Sequence, residues 1–151
     1  MIQRQEYAEV PVYMGQASAS LDKGRFLMPE KYRKVYEERN GKGQHFYLGI
    51  LAHTDNDNGF DYFVIHDRLS FSSQYTKLEH NPSLVGVTLD EVDRFLIPAN
   101  IRESLGLEND IKLIGPGTGT LEIWNPETFA SYLEEQSKKN DEHKEFFASL
   151  Y

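Results

Sequence analysis

The 151-residue chain has 39% hydrophobic and 26% charged residues, the balance of a soluble globular protein with room for one good core or two small ones. No apolar run approaches the ~18 residues of a membrane span, and a chain without cysteine builds neither a disulfide framework nor a thiolate zinc site. The formal net charge of −8 reads against a general polyanion binder.

The opening stretch MIQRQEYAEVPVYMGQ puts charges where a signal peptide needs an apolar segment, so a cytoplasmic location is expected. SLDKG at 20–24 is a turn, and Phe26–Met28 is a short strand. Pro29 ends it, because proline cannot donate to a sheet ladder and suits the first helical turn. A helix over about 30–38 follows. His45–Ala52 and Tyr62–His66 read as two strands joined by HTDNDNGFD, with alternating polarity in YFVIHD. From Asp67 to Leu78 only a stub is expected, since SFSSQYT is too rich in Ser and Thr for helix.

The same order then returns. TLDEVD at 88–93 is a turn, Phe95–Ile97 a strand, Pro98 its end and 99–105 a helix. Gly106 stands where a left-handed helix terminus belongs. Ile111–Ile114 and Thr120–Trp124 are strands joined by GPGTG. Asn125 and Pro126 open a C-terminal helix with Phe129, Tyr132 and Leu133 on one face; a second start at Asn140–Asp141 makes it one helix or two.

This return is literal. RFLMPEKYRK at 25–34 comes back as RFLIPANIRE at 94–103, 69 residues later. Strands this short do not form a stable unit singly. The two copies, 17–68 and 85–136, must complete one sheet within a single domain of 1–151, with 137–151 as a helical extension. The fold class is α+β, mainly β. Charge divides the copies: seven basic residues stand against four acidic ones over 22–42, and three against six over 88–112.

Several site chemistries fail on spacing. DNDNG at 55–59 puts Gly59 fifth and His66 twelfth, where a calcium loop needs Gly sixth and Glu twelfth. The five histidines lack metal-ligand spacing, and GPGTG lacks the Lys-Ser/Thr of a phosphate loop. No serine sits in Gly-x-Ser-x-Gly. Catalytic, metal and cofactor residues are therefore not expected, nor is a small-molecule substrate. Trp124 is expected in the core or an interface.

SLDKGRFLMPEKYRK, its return as TLDEVDRFLIPANIRE, and IKLIGPGTGTLEIWNPETFASYL together resemble the MraZ family, over about 17–136. That resemblance implies a cytoplasmic, nucleoid-associated bacterial transcriptional regulator of the division and cell-wall gene cluster. It also implies a tandem AbrB-like swapped-hairpin β-barrel, a ring-shaped homo-oligomer, and Asp-x-x-x-Arg loops facing double-stranded DNA. The second copy keeps Leu89, Asp90 and Arg94 at the family's spacing but has Val92-Asp93 in place of Lys-Gly. The first keeps Lys23, Gly24 and Arg25, with Asp22 one residue too close.

Asp22, Lys23, Arg25, Asp90 and Arg94 are thus the candidate DNA-contact residues. Asp can cap a turn, Arg can fork onto phosphate or guanine, and Lys adds a point charge. Asp93 beside Arg94 would cancel part of the attraction, so the first copy should carry most of the contact. Alternatively, Arg25 and Arg94 pair with Asp22, Asp90 or Asp93 on the surface, worth about 0–1 kcal/mol. Arg33 and Arg102, at one helix position, suit a subunit interface or apolar cover as well as DNA. Helix faces 30–38, 99–105 and 126–136 are candidate subunit contacts.

Overall fold

The structure is a computed structural model and describes residues 10–43, 46–53, 60–73 and 84–149. Strand β1 (Tyr13–Ser20) leads through a tight turn into β2 (Arg25–Leu27), and helix α1 (Glu30–Asn40) begins directly after Pro29. Tyr32 and Tyr36, one turn apart on α1, are both buried. β3 (Phe46–His53), β4 (Asp61–Asp67) and α2 (Arg68–Ser73) complete the first segment. The second comprises β5 (Val85–Thr88), β6 (Arg94–Leu96), α3 (Ala99–Leu105), β7 (Asp110–Thr118), β8 (Thr120–Trp124) and α4 (Pro126–Ser149).

Six strands form one antiparallel sheet in the order β1-β7-β8-β4-β3-β5, while β2 and β6 form a separate two-stranded ribbon. Exchanging each strand of the first segment for its counterpart in the second reverses this order onto itself. The leading strand of each segment lies against the other segment, β1 on β7 and β5 on β3. The two echoed strings meet in the ribbon, where Phe26 pairs with Phe95.

The closed barrel implied by the resemblance is not formed. The six-stranded ladder is open and ends at β1 and β5. The ribbon does not bridge those edges, because each of its three-residue strands spends its ladder bonds on the other. One core nevertheless joins ribbon, sheet and helices, with Phe26, Met28, Phe63, Ile65, Phe95, Ile97, Ile111 and Leu113 at 0–1% exposure. Burying one such large apolar side chain contributes about 1.5–3 kcal/mol.

Three local readings change, and one open alternative is decided. β1 and β5 stand where no strand is expected. GPGTG is not one connecting turn: β7 runs through Gly115 and Pro116 opposite Gly15 and Met14 of β1. A β-carbon at Gly115 would come within 2.5 Å of the Tyr13–Met14 backbone, so the strands approach this closely only with glycine there. After Asp67, Arg68–Ser73 does form a short helix, because two adjacent N–H groups of its first turn are capped. Asp67 Oδ1 accepts the Ser70 N–H at 2.8 Å and Asn40 Oδ1 accepts the Leu69 N–H at 2.8 Å. Finally, α4 is continuous across 140. Asn125 caps it as expected, accepting the Glu127 N–H at 2.9 Å. The DNDNG segment lies outside the described residues.

α4 docks through aromatic rings. Trp124 is 2% exposed, stacks on Tyr62 at 4.6 Å and 5°, and meets Phe129 and Tyr132 at 5.3 and 5.2 Å. Beneath the other end of the sheet lies a buried polar cluster. Arg39 Nε donates to Asp67 Oδ2 at 2.6 Å, with side chains 5% and 0% exposed. The Tyr13 hydroxyl donates to the same oxygen at 2.6 Å, and Asn40 Nδ2 does so at 3.1 Å. These donors hold the Asp67 carboxyl below its usual range although burial alone would raise it.

Candidate nucleic-acid interface

The candidate residues sit on two unequal turns that feed the ribbon. In the first, the Asp22 N–H donates to Arg25 O at 2.8 Å and the Arg25 N–H to Asp22 O at 3.0 Å. Lys23 and Gly24 between them have φ of 53° and 80°. Two left-handed residues in a two-residue hairpin match the right-handed twist of the flanking strands. This one-residue-shorter turn accounts for the close spacing of Asp22 and Arg25.

The second turn has three residues. The Asp93 N–H donates to Asp90 O at 3.0 Å, the Asp90 N–H donates to Arg94 O at 2.9 Å, and Asp93 has φ of 62°. The Asp90 side chain fills the loop: Oδ1 accepts the Val92 and Arg94 N–H groups at 3.0 and 2.9 Å. The bond from the Arg94 N–H is the main influence holding the Asp90 carboxyl below its usual range. Oδ2 accepts Arg94 Nε at 2.9 Å. The Asp22 side chain makes no such cap among the described residues.

Strand alternation then fixes what the ribbon shows. Phe26 and Phe95 point into the core, and Arg25, Leu27, Arg94 and Leu96 point out. Arg25 stands opposite Leu96, and Arg94 opposite Leu27. Leu27 and Leu96 are 57% and 40% exposed. The structure thus brings Arg25 and Arg94 onto one outward face, with Lys23 exposed at its end. They differ in state. Arg94 is tied to Asp90, whereas Arg25 makes no ion pair with a described residue.

Arg33 and Arg102 brace these turns, roles not foreseen in the sequence. Each Nε donates to the carbonyl just before its own helix: Arg33 to Met28 O at 3.1 Å and Arg102 to Ile97 O at 3.0 Å. Each of those residues also binds the opposite turn, the Met28 N–H to Asp93 O at 3.0 Å and the Ile97 N–H to Gly24 O at 2.9 Å. The Asp93 carboxylate pairs with Arg33 Nη1 at 2.9 Å. The recurrence of arginine four residues after each proline was the available signal, but sequence could not show which loop each one met.

Among the described residues no group of three His, Cys, Asp or Glu side chains is placed to hold a metal, and no helix is long and apolar enough to cross a membrane. Residues 85–147 match the family model described as "MraZ protein, putative antitoxin-like". A protein of Thermobifida fusca named Transcriptional regulator MraZ is 31% identical over 143 residues, covering 84% of this chain and 90% of that one. Proteins of the same name from Acetivibrio thermocellus and Thioalkalivibrio sulfidiphilus are 28% and 27% identical, each over 92% of this chain and 99% and 97% of their own lengths. Since the likeness to these relatives spans both turns, the ribbon and both helices that brace it, the chain belongs to the MraZ family.

Proposed function

We propose that this chain is a sequence-specific, DNA-binding transcriptional regulator that reads double-stranded DNA with the outward face of the β2–β6 ribbon. The observation that carries this reading is the pair Arg25 and Arg94 on one exposed face of a two-stranded ribbon. The major groove of B-DNA is wide enough for such a ribbon, and arginine is the side chain that forks onto guanine O6 and N7. Lys23 at the ribbon's end supplies a phosphate charge, and the names of the relatives supply the regulatory role.

The two repeats, 17–68 and 85–136, act as one body, a variant of the swapped-hairpin architecture, with 137–151 as an extension. One ribbon carries little binding energy. A ring-shaped homo-oligomer would repeat it and raise the effective concentration of each contact. The chemistry needs no cofactor and no small-molecule substrate, and the site of action is the cytoplasm, at the nucleoid. The rival reading is a non-enzymatic scaffold that kept this fold and lost DNA affinity. The Arg94–Asp90 and Arg33–Asp93 pairs favour it, because they neutralise one of the two turns.

A mobility-shift titration separates the two. Wild type is expected to retard the duplex upstream of its own gene at low salt, and to do so less as salt rises. Absence of any complex at low salt supports the scaffold.

A further inference from the structure

Resting on that reading, we propose that Arg102 completes a phosphate-binding cradle around Gly24 with Lys23, so that the end of the ribbon at the first turn grips the DNA backbone and the end at the second does not. The two turns occupy equivalent places, and Gly24 corresponds to Asp93. Both have positive φ, 80° and 62°. Both give their carbonyl to the residue before the opposite helix, and both lie against an arginine from that helix.

The partner of the arginine differs. At the second turn, the Asp93 carboxylate takes the charge of Arg33. At the first there is no carboxylate to do so. The Arg102 guanidinium lies directly on Gly24, where a β-carbon would come within 2.7 Å of Cζ and 2.9 Å of Nε and Nη1. Its Nε is committed to Ile97 O, and no described acidic residue pairs with its Nη groups. The guanidinium is therefore oriented yet not neutralised. Within the turn itself Lys23 and Arg25 meet one carboxylate, Asp22, and Arg102 shares a surface hollow with Glu103 and Glu108 without pairing with either. At the second, Arg33 and Arg94 meet Asp90, Glu91 and Asp93.

Phosphodiester oxygen is the ligand chemistry that fits. Gly24 is buried beneath the guanidinium, so Arg102 stands at the end of the ribbon and not on its outward face. A ribbon lying in the groove meets base edges with its face and backbone phosphates with its ends. An arginine already held by one hydrogen bond loses little side-chain freedom when its remaining nitrogens fork onto phosphate.

The salt dependence of binding to a random-sequence DNA duplex tests this, since phosphate contacts do not depend on sequence. Each phosphate neutralised adds about 0.9 to the slope of log K against log salt. Arg102→Gln should lower the slope by about 0.9, while Lys139→Gln, exposed on α4 and outside both turns, should leave it unchanged. Gly24→Asp places in the first turn the acid that the second already tolerates at positive φ. Its β-carbon meets only the flexible end of Arg102, which it displaces, so it should lower the slope at least as much, with a urea-unfolding curve run beside it to show that the variant is folded. If wild type binds and both Arg102→Gln and Gly24→Asp keep its slope, the cradle is wrong while the ribbon reading stands. If Arg102→Gln does not fold, Gly24→Asp alone decides. If wild type binds no duplex at about 50 mM salt, the reading of the ribbon falls and the cradle with it.

Discussion

Phe26 and Phe95 face each other across the β2–β6 ribbon, directly paired, with ring centroids 5.3 Å apart and 1% and 0% exposure. Each comes from one copy of the echoed string, so this contact fastens the two segments and sets which way Arg25 and Arg94 face. Phe95→Ala should cost about 3–5 kcal/mol, and Phe26→Ala the same. The double variant should cost less than the sum by about 0.5–1.5 kcal/mol, the coupling of an aromatic pair. Urea unfolding of the four proteins measures this; strict additivity would mean the rings do not depend on each other.

Arg25 and Arg94 should not contribute equally. Arg25→Ala is expected to weaken binding to the upstream duplex tenfold or more, about 1.4 kcal/mol. Arg94 must leave Asp90 before it can reach a base, which offsets part of its gain. Arg94→Ala should therefore weaken binding by a smaller factor. Mobility-shift titrations of both variants check the order, and a larger loss at Arg94 would reverse the assignment of the two turns.

Asp67 is a buried carboxylate whose charge is matched by Arg39 and whose oxygens are filled by Tyr13, Asn40 and the Ser70 N–H. Removing one member leaves the other charge uncompensated in the interior. Arg39→Met should thus destabilise by about 3–5 kcal/mol. The double variant Arg39→Met, Asp67→Leu should recover part of that loss, because the stranded charge is gone. Thermal or urea unfolding reads both values, and a double variant no more stable than Arg39→Met would argue against a charge-based cause.

What sequence could reveal follows from this physics. β2, β6, α1 and α3 are legible because a proline and an apolar triplet mark each boundary locally. β1 is not legible: YMGQASAS buries only Tyr13 fully, and its place comes from pairing with β7, nearly a hundred residues away. β7 hides its extent because glycine and proline usually signal a turn, whereas Gly115 is there to let β1 approach. The repeat offset also fails to align Asp67 with Asn125, although both cap a helix and tie it to the end of the helix before. In the candidate site, Arg25 and Arg94 are readable as a recurring pair. The Asp93–Arg33 pairing is not, since each side chain belongs to the other half of the chain.

His66 makes stability depend on pH in a defined window. It is 7% exposed, and its Nδ1 lies 2.9 Å from Ser70 Oγ. Burial pushes its pKa below the ordinary 6.5, and the neighbouring Asp67 charge opposes that only in part. Below about pH 6.5 the unfolded chain binds a proton that the folded chain does not. Stability must then fall on acidification, by at most about 1.4 kcal/mol per pH unit, until the pH reaches the folded-state value. Asp67 acts lower down. Its folded pKa lies below the ordinary 3.8, so its contribution is present above that value and lost as pH falls through the folded one. The urea midpoint should therefore drop in two stages. His66→Gln should flatten the stage that begins near pH 6.5 and leave the lower one. The same decline in His66→Gln as in wild type would assign the upper stage to another histidine.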